Sequence, residues 1–166
     1  MKDKPLFRFA IAGCLSALTL CATLFIHIPL PNGGYLNAGD AVVLISGFLL
    51  SPKLAFLSAA VGSALADIIS GYTIYSPVTF IIKGAMALLV GIAVTYGKRK
   101  NHKTKIPILC FIVAELIMVI GYYIFEGFLY GFIASLPNAA MNLLQGLFGV
   151  LAAFIILSVI LRRIKE

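Results

Sequence analysis

Six apolar segments account for most of this chain, each closed by turn-forming or charged residues. They run at about 7–28, 37–50, 54–70, 77–96, 106–125 and 136–161. Of the 166 residues, 61% are hydrophobic and only 11% are charged. A soluble domain of this size has too much surface per unit volume to hide so much apolar area. The chain is therefore read as an all-α integral membrane protein. It forms one domain over residues 1–166, a six-transmembrane-helix bundle, and its length leaves no room for an attached soluble module. The second segment is the weak one. Its apolar part, Ala41–Leu50, falls short of the roughly 20 residues that cross ~30 Å of hydrocarbon.

Charge placement sets the expected orientation. Lys2, Lys4 and Arg8 precede the first segment, Lys53 opens the third, and Arg162, Arg163 and Lys165 follow the sixth. Lys98, Arg99, Lys100, Lys103 and Lys105 lie between the fourth and fifth. Such clusters beside apolar spans mark the cytoplasmic side and suit anionic lipid headgroups. Loops 29–36, 71–76 and 126–135 contain no Lys or Arg. Six crossings with both termini cytoplasmic satisfy this pattern, whereas a re-entrant second segment would leave an odd number between two cytoplasmic regions. The net charge of +7 is thereby explained without nucleic acid, whose readers interleave aromatic and basic residues on one face.

Cys14, Cys21 and Cys110 are odd in number, all lie in apolar spans, and form neither a disulfide framework nor a CxxC metal pair. The first apolar run is too long for a signal-peptide core. No hydrolase, metalloprotease or nucleotide-binding motif occurs, so no catalytic residue, metal or cofactor is expected.

Polar side chains within the apolar segments carry the functional information. An ionisable group at membrane depth costs about 2.5–3.5 kcal/mol on insertion scales and is a functional candidate by default. Asp67, Lys83, Glu115, Asn138, Asn142 and Gln145 all fall in the outer half or at the midplane. A polar set open to one side describes a cup. Asn138, Asn142 and Gln145 share a helix face at i, i+4 and i+7, which suits either a heteroaromatic ligand or interhelical hydrogen bonding. Lys83 and Glu115 read as a structural ion pair or as ligand contacts facing those amides across the cup. Asp40 reads as a helix cap. Asp67, at a helix C-terminal end where a carboxylate is disfavoured, reads as a partner of Lys83 or an organiser of 71–76.

Tyr35, Tyr72, Tyr75, Tyr122, Tyr123 and Tyr130 crowd the outer edge, while the inner edge has little beyond Tyr96. An interfacial aromatic belt explains tyrosines; the asymmetry suits a lid or stacking platform in which Tyr72 and Tyr75 close the top. Small residues on the first segment form the pairs Ala12/Ser16 and Gly13/Ala17. They allow close helix approach, either within the bundle or onto another membrane subunit.

Three linked stretches carry a resemblance: Gly34-Tyr-Leu-Asn37-Ala-Gly39-Asp40, Ser63-Ala-Leu-Ala-Asp67-Ile-Ile-Ser-Gly71-Tyr72 and Pro77-Val-Thr79-Phe-Ile-Ile-Lys83-Gly84. They resemble the substrate-binding S-components of energy-coupling factor (ECF) vitamin importers, in the riboflavin-type or hydroxymethylpyrimidine-type branch. The resemblance covers essentially the whole chain. It implies a protein of the bacterial plasma membrane that captures a small vitamin from outside: a hydroxymethylpyrimidine, a vitamin B6 form or riboflavin. It also implies docking on a T-component carrying two ATPase subunits, through a small-residue motif that here reads Gly13-xxx-Ala17 or Ala12-xxx-Ser16. The expected substrate-binding set is Asn37, Asp67, Tyr72, Tyr75, Lys83, Glu115, Asn138 and Asn142. The rival class, a stand-alone transporter or channel, needs polar residues continuing through the cytoplasmic half, where only hydroxyls such as Ser16, Ser46, Ser58 and Ser158 occur.

Overall fold

In the computed structural model, residues 5–30, 33–99 and 107–163 are described. Lys2, Lys4, Lys100, His102, Lys103, Lys105 and Lys165, with the Pro31-Asn32 turn, lie outside the described residues. Six helices occur among those described: α1 (Pro5–Phe25), α2 (Gly39–Leu49), α3 (Pro52–Ile69), α4 (Ser76–Arg99), α5 (Ile108–Tyr130) and α6 (Leu136–Arg163). All but α2 are long and apolar enough to cross a membrane.

Helix α2 has 11 residues, about 17 Å at 1.5 Å per residue. Every residue from Gly39 to Phe48 is buried, and α1, α3, α4 and α6 all pack against it. A helix sheathed by protein need not match the hydrocarbon thickness, which is why so short an element is stable at the centre of a membrane bundle. The chain reverses at each connection. Gly39 lies against Thr23, Gly62 of α3 against Ser16 of α1, and Gly47 against Val90 of α4. Pro5 and Arg163 consequently lie at the same end of the bundle.

The opposite end carries an element that the outer loop 29–36 did not announce. Strands β1 (His27–Pro29) and β2 (Tyr35–Asn37) form an antiparallel hairpin with His27 opposite Asn37 and Pro29 opposite Tyr35. Its turn is closed by Leu30 N–H donating to the Gly34 carbonyl at 3.1 Å. Gly33 and Gly34 take φ of 93° and 72°, a region open to glycine at no steric cost. The first helix therefore ends at Phe25 rather than near Ile28. The outer loop expected over 126–135 is also shorter, because α5 continues to Tyr130 and stops where Gly131 turns with φ 94°.

Beneath the hairpin end, Val43, Leu44, Met86, Val90, Phe111, Met118 and Leu157 form a continuous buried apolar layer. Leu109, Ile112, Leu116, Ile120, Leu143, Leu147 and Leu151 project outward from α5 and α6, as lipid-facing side chains do.

Candidate functional site

A cavity opens at the hairpin end, and five of the six described helices, all but α2, contribute to its wall. Thr23 and Leu30 border α1 and the hairpin, Gly34, Tyr35 and Asn37 come from the hairpin, and Ser63 and Asp67 from α3. Tyr75, Thr79 and Lys83 stand on and just before α4, Tyr122 and Glu126 on α5, Asn142 and Gln145 on α6. It encloses about 440 Å³ of space between atoms, its open mouth included. The helices place these groups by periodicity. On α5, Glu115, Tyr122 and Glu126 recur at i, i+7 and i+11, one inward face.

At its floor lies a charge cluster. Lys83 Nζ donates to Asp40 Oδ1 in an ion pair whose side chains are 3% and 1% exposed. The other oxygen, Oδ2, accepts from Gln145 Nε2 at 2.5 Å. Gln145 Oε1 in turn accepts the Asn37 backbone N–H at 2.8 Å, so α6, α2, α4 and the hairpin are joined by one network. The Tyr122 ring lies under the ammonium, 5.6 Å from its centroid, within cation–π range. This corrects two expectations. Asp40 does not cap α2: the cap position is Ala38, and Asp40 turns inward because α2 is enclosed on all sides. Lys83 pairs with Asp40, not with Asp67 or Glu115.

Asp67 instead accepts the Tyr35 phenol at 2.5 Å. Its backbone carbonyl, not its side chain, organises the following loop by accepting the Tyr72 N–H at 2.8 Å. Glu126 accepts the Tyr75 phenol at 3.3 Å. Burial, then the adjacent Asp67 carboxylate, hold the Tyr35 phenol well above its ordinary range. Burial, with Tyr130 and Glu126 beside it, does the same for Tyr75. Both phenols accordingly remain O–H donors across the ordinary pH range. Above them an aromatic cluster roofs the cavity: His27 stacks on Tyr35 at 3.9 Å, Tyr72 lies 4.9 Å from Tyr35, and Tyr75 lies 5.2 Å from Phe125.

Of the expected substrate-binding residues, Asn37, Asp67, Tyr75, Lys83 and Asn142 stand on the cavity wall. Three do not. Tyr72 belongs to the aromatic roof. Asn138 is fully buried and donates to the Gly33 carbonyl at 3.0 Å, holding the hairpin turn against α6. Glu115 lies behind the floor, where a methyl on Gly149 would come within 2.8 Å of its Oε1 and 3.0 Å of Asp40 Cβ. Gln145, Tyr35, Thr79, Tyr122 and Glu126 also line the wall, and Asp40 lies beneath it, held by Lys83 and Gln145. Gln145 stood in the amide stripe, and extending the α5 periodicity past Phe125 would have found Glu126. The small residues of α1 divide by face. Ala12 is buried, with its carbonyl accepting from Ser58 Oγ at 2.8 Å, and Ser16 backs onto Gly62. Gly13 and Ala17 are exposed.

Comparison with known proteins agrees with this architecture. The profile of the family described as "ECF-type riboflavin transporter, S component" matches residues 7–163. A Pyrococcus woesei protein described as "Uncharacterized protein in gap 3'region" is 31% identical over 130 residues, 78% of this chain and 84% of its own. The "Thiamine precursor transporter HmpT" of Lactococcus lactis subsp. cremoris (strain MG1363) is 24% identical over 155 residues, 92% of this chain and 87% of its own. A solved structure described as "Structure and mechanism of the S component of a bacterial ECF transporter" superposes with a TM-score of 0.78 at 22% identity, covering 98% of this chain and 100% of that one. At that identity the likeness bears on fold alone.

Proposed function

The chain belongs to the ECF-type riboflavin transporter S-component family, and from that premise we propose that its cavity captures one small heteroaromatic vitamin or vitamin precursor from outside the cell. It is a multi-pass membrane protein, and its family is the substrate-binding part of a transporter. The candidates are a hydroxymethylpyrimidine, a vitamin B6 form and riboflavin; the HmpT relative's description as a thiamine precursor transporter supports the first.

The observation that carries this reading is the cavity's place at one end of the bundle. Polar groups line the hairpin end, and the apolar layer from Val43 to Leu157 closes the other. Such a cup holds a solute but offers it no path through, so release on the far side needs a partner. That partner is a T-component with two ATPase subunits. The exposed Gly13/Ala17 face of α1 supports docking there, since it admits a second helix at close range, while Ala12 and Ser16 are occupied within the bundle. Asn37, Asp67, Tyr75, Lys83 and Asn142 are the proposed ligand contacts, with Tyr72, Asn138 and Glu115 supporting them from behind.

Mass spectrometry of small molecules released from the purified protein tests the capture step. One heteroaromatic vitamin in near-stoichiometric amount is the expected result. Uptake of that vitamin into liposomes containing this chain alone, without ATPase subunits, would overturn the reading.

A further inference from the structure

Two carboxylates on the cavity wall make no ion pair with a described residue. Asp67 and Glu126 each spend one oxygen on a tyrosine phenol, and the second oxygen of each, Oδ2 and Oε2, has no hydrogen-bond partner. Both side chains are more than nine-tenths buried, at 3% and 2% exposure. The Thr79 hydroxyl beside Asp67 shares a hydrogen bond with Tyr122 at 2.9 Å, and the Asn138 amide beside Glu126 gives one of its two hydrogens to Gly33; both neighbours interact with the carboxylates, yet neither closes the second oxygen. Lys83, the ammonium on the wall, is held by Asp40. His27, near Asp67, stacks on Tyr35 and makes no ion pair with the carboxylate. The stretches 29–36, 71–76 and 127–135 around the mouth contain no Lys or Arg.

A buried acceptor without a donor is costly, and a buried carboxylate more so. Around these two oxygens the wall is thus short of positive charge, while Tyr75, on the same wall, supplies an aromatic ring against which a flat or cationic group rests favourably. A phosphate ester meets the opposite of what it needs, since no unpaired cation is available on the described wall to receive it.

We propose that Asp67 and Glu126 are specificity residues that select an amine-bearing nitrogen heterocycle, a small aromatic ring whose amino or protonated nitrogen donates to Oδ2 and Oε2. This deepens the capture reading and rests on it. Charge-assisted donors to these oxygens are stronger than neutral ones, so the amine distinguishes the ligand from its hydroxyl analogue of nearly equal shape.

The full-length protein, stripped of co-purifying ligand in detergent, is titrated calorimetrically with two matched pairs and with riboflavin. The pairs are 4-amino-5-hydroxymethyl-2-methylpyrimidine against its 4-hydroxy counterpart, and pyridoxamine against pyridoxine. At least one amine binds tenfold or more tightly than its hydroxyl twin and than riboflavin. Asp67→Asn and Glu126→Gln each weaken that amine at least tenfold, while the unliganded variants melt at or above the parent's temperature because an uncompensated charge has gone. The inference is overturned if neither amine binds, if the hydroxyl twins or riboflavin bind as tightly, or if both isosteric variants hold the amine like the parent. Tight riboflavin binding would sink this inference and leave the capture reading standing; no bound ring at all, with no vitamin co-purifying, would sink both.

Discussion

Asn142 and the Asp40–Lys83 pair occupy neighbouring positions but play different parts. Asn142 is buried on the cavity wall, where its amide can meet a ligand. Removing a polar group that meets a ligand leaves its partner unpaired, at about 1–3 kcal/mol. Asn142→Ala therefore weakens vitamin binding roughly 5- to 100-fold, read by titration, with an unchanged melting profile. The ion pair is different because its loss is felt in the fold. Lys83→Met strands Asp40 at 1% exposure, and breaking a buried pair from one side costs about 3–5 kcal/mol. The double variant Asp40→Asn, Lys83→Met recovers much of that loss in denaturant unfolding; a double variant no more stable than the single would show the pair is not the source. The sequence made the polar positions legible but not their pairings. Asp67 and Asp40 are both acids near helix ends, and their partners differ because α2 is enclosed while Asp67 faces the hairpin. That assignment depends on which helix lies beside which, information that spacing within one helix does not contain.

At the scale of elements, the five long spans were readable because length and hydropathy suffice to identify them. The short α2 and the hairpin were harder for opposite reasons. Helix α2 is protected from lipid on all sides, so nothing forces it to bilayer length; the hairpin is two three-residue strands, too brief for a period-2 pattern to register. Close helix approach gives a sharper test. A methyl on Gly62 would collide with the Ser16 carbonyl of α1, and backbone cannot move aside as a flexible side chain does. Gly62→Ala thus parts α1 from α3 and lowers the melting temperature, whereas Gly97→Ala, with open space around it, leaves it unchanged. Equal melting of the two would contradict the packing described. Gly13→Leu belongs with the second group for stability, since nothing lies within 4 Å of a methyl there, but it abolishes co-purification with a T-component if that face docks.

For the whole molecule, alternating helix directions put both described ends together, away from the hairpin. With the basic clusters near those ends, we expect the termini in the cytoplasm and the cavity outside. In a background of Cys14→Ala, Cys21→Ala and Cys110→Ala, Ile74→Cys reacts with impermeant thiol reagents added to intact cells and Asn101→Cys does not; the reverse pattern would invert the protein in the membrane. The sheathed α2 also bears on how the chain is made. Its Asp40 meets Lys83 43 residues later and Gln145 105 residues later, so when α2 leaves the ribosome neither partner has emerged. Eleven residues with a carboxylate in the first turn make a poor independent membrane insert. Helix α2 must wait at the interface or beside the insertion machinery until α4 and then α6 arrive to receive it. Nascent chains halted before α6 should expose Val42→Cys, which leaves Asp40 in place, to aqueous reagents, and completed chains should protect it, so that acquiring a binding site and finishing membrane integration are one event.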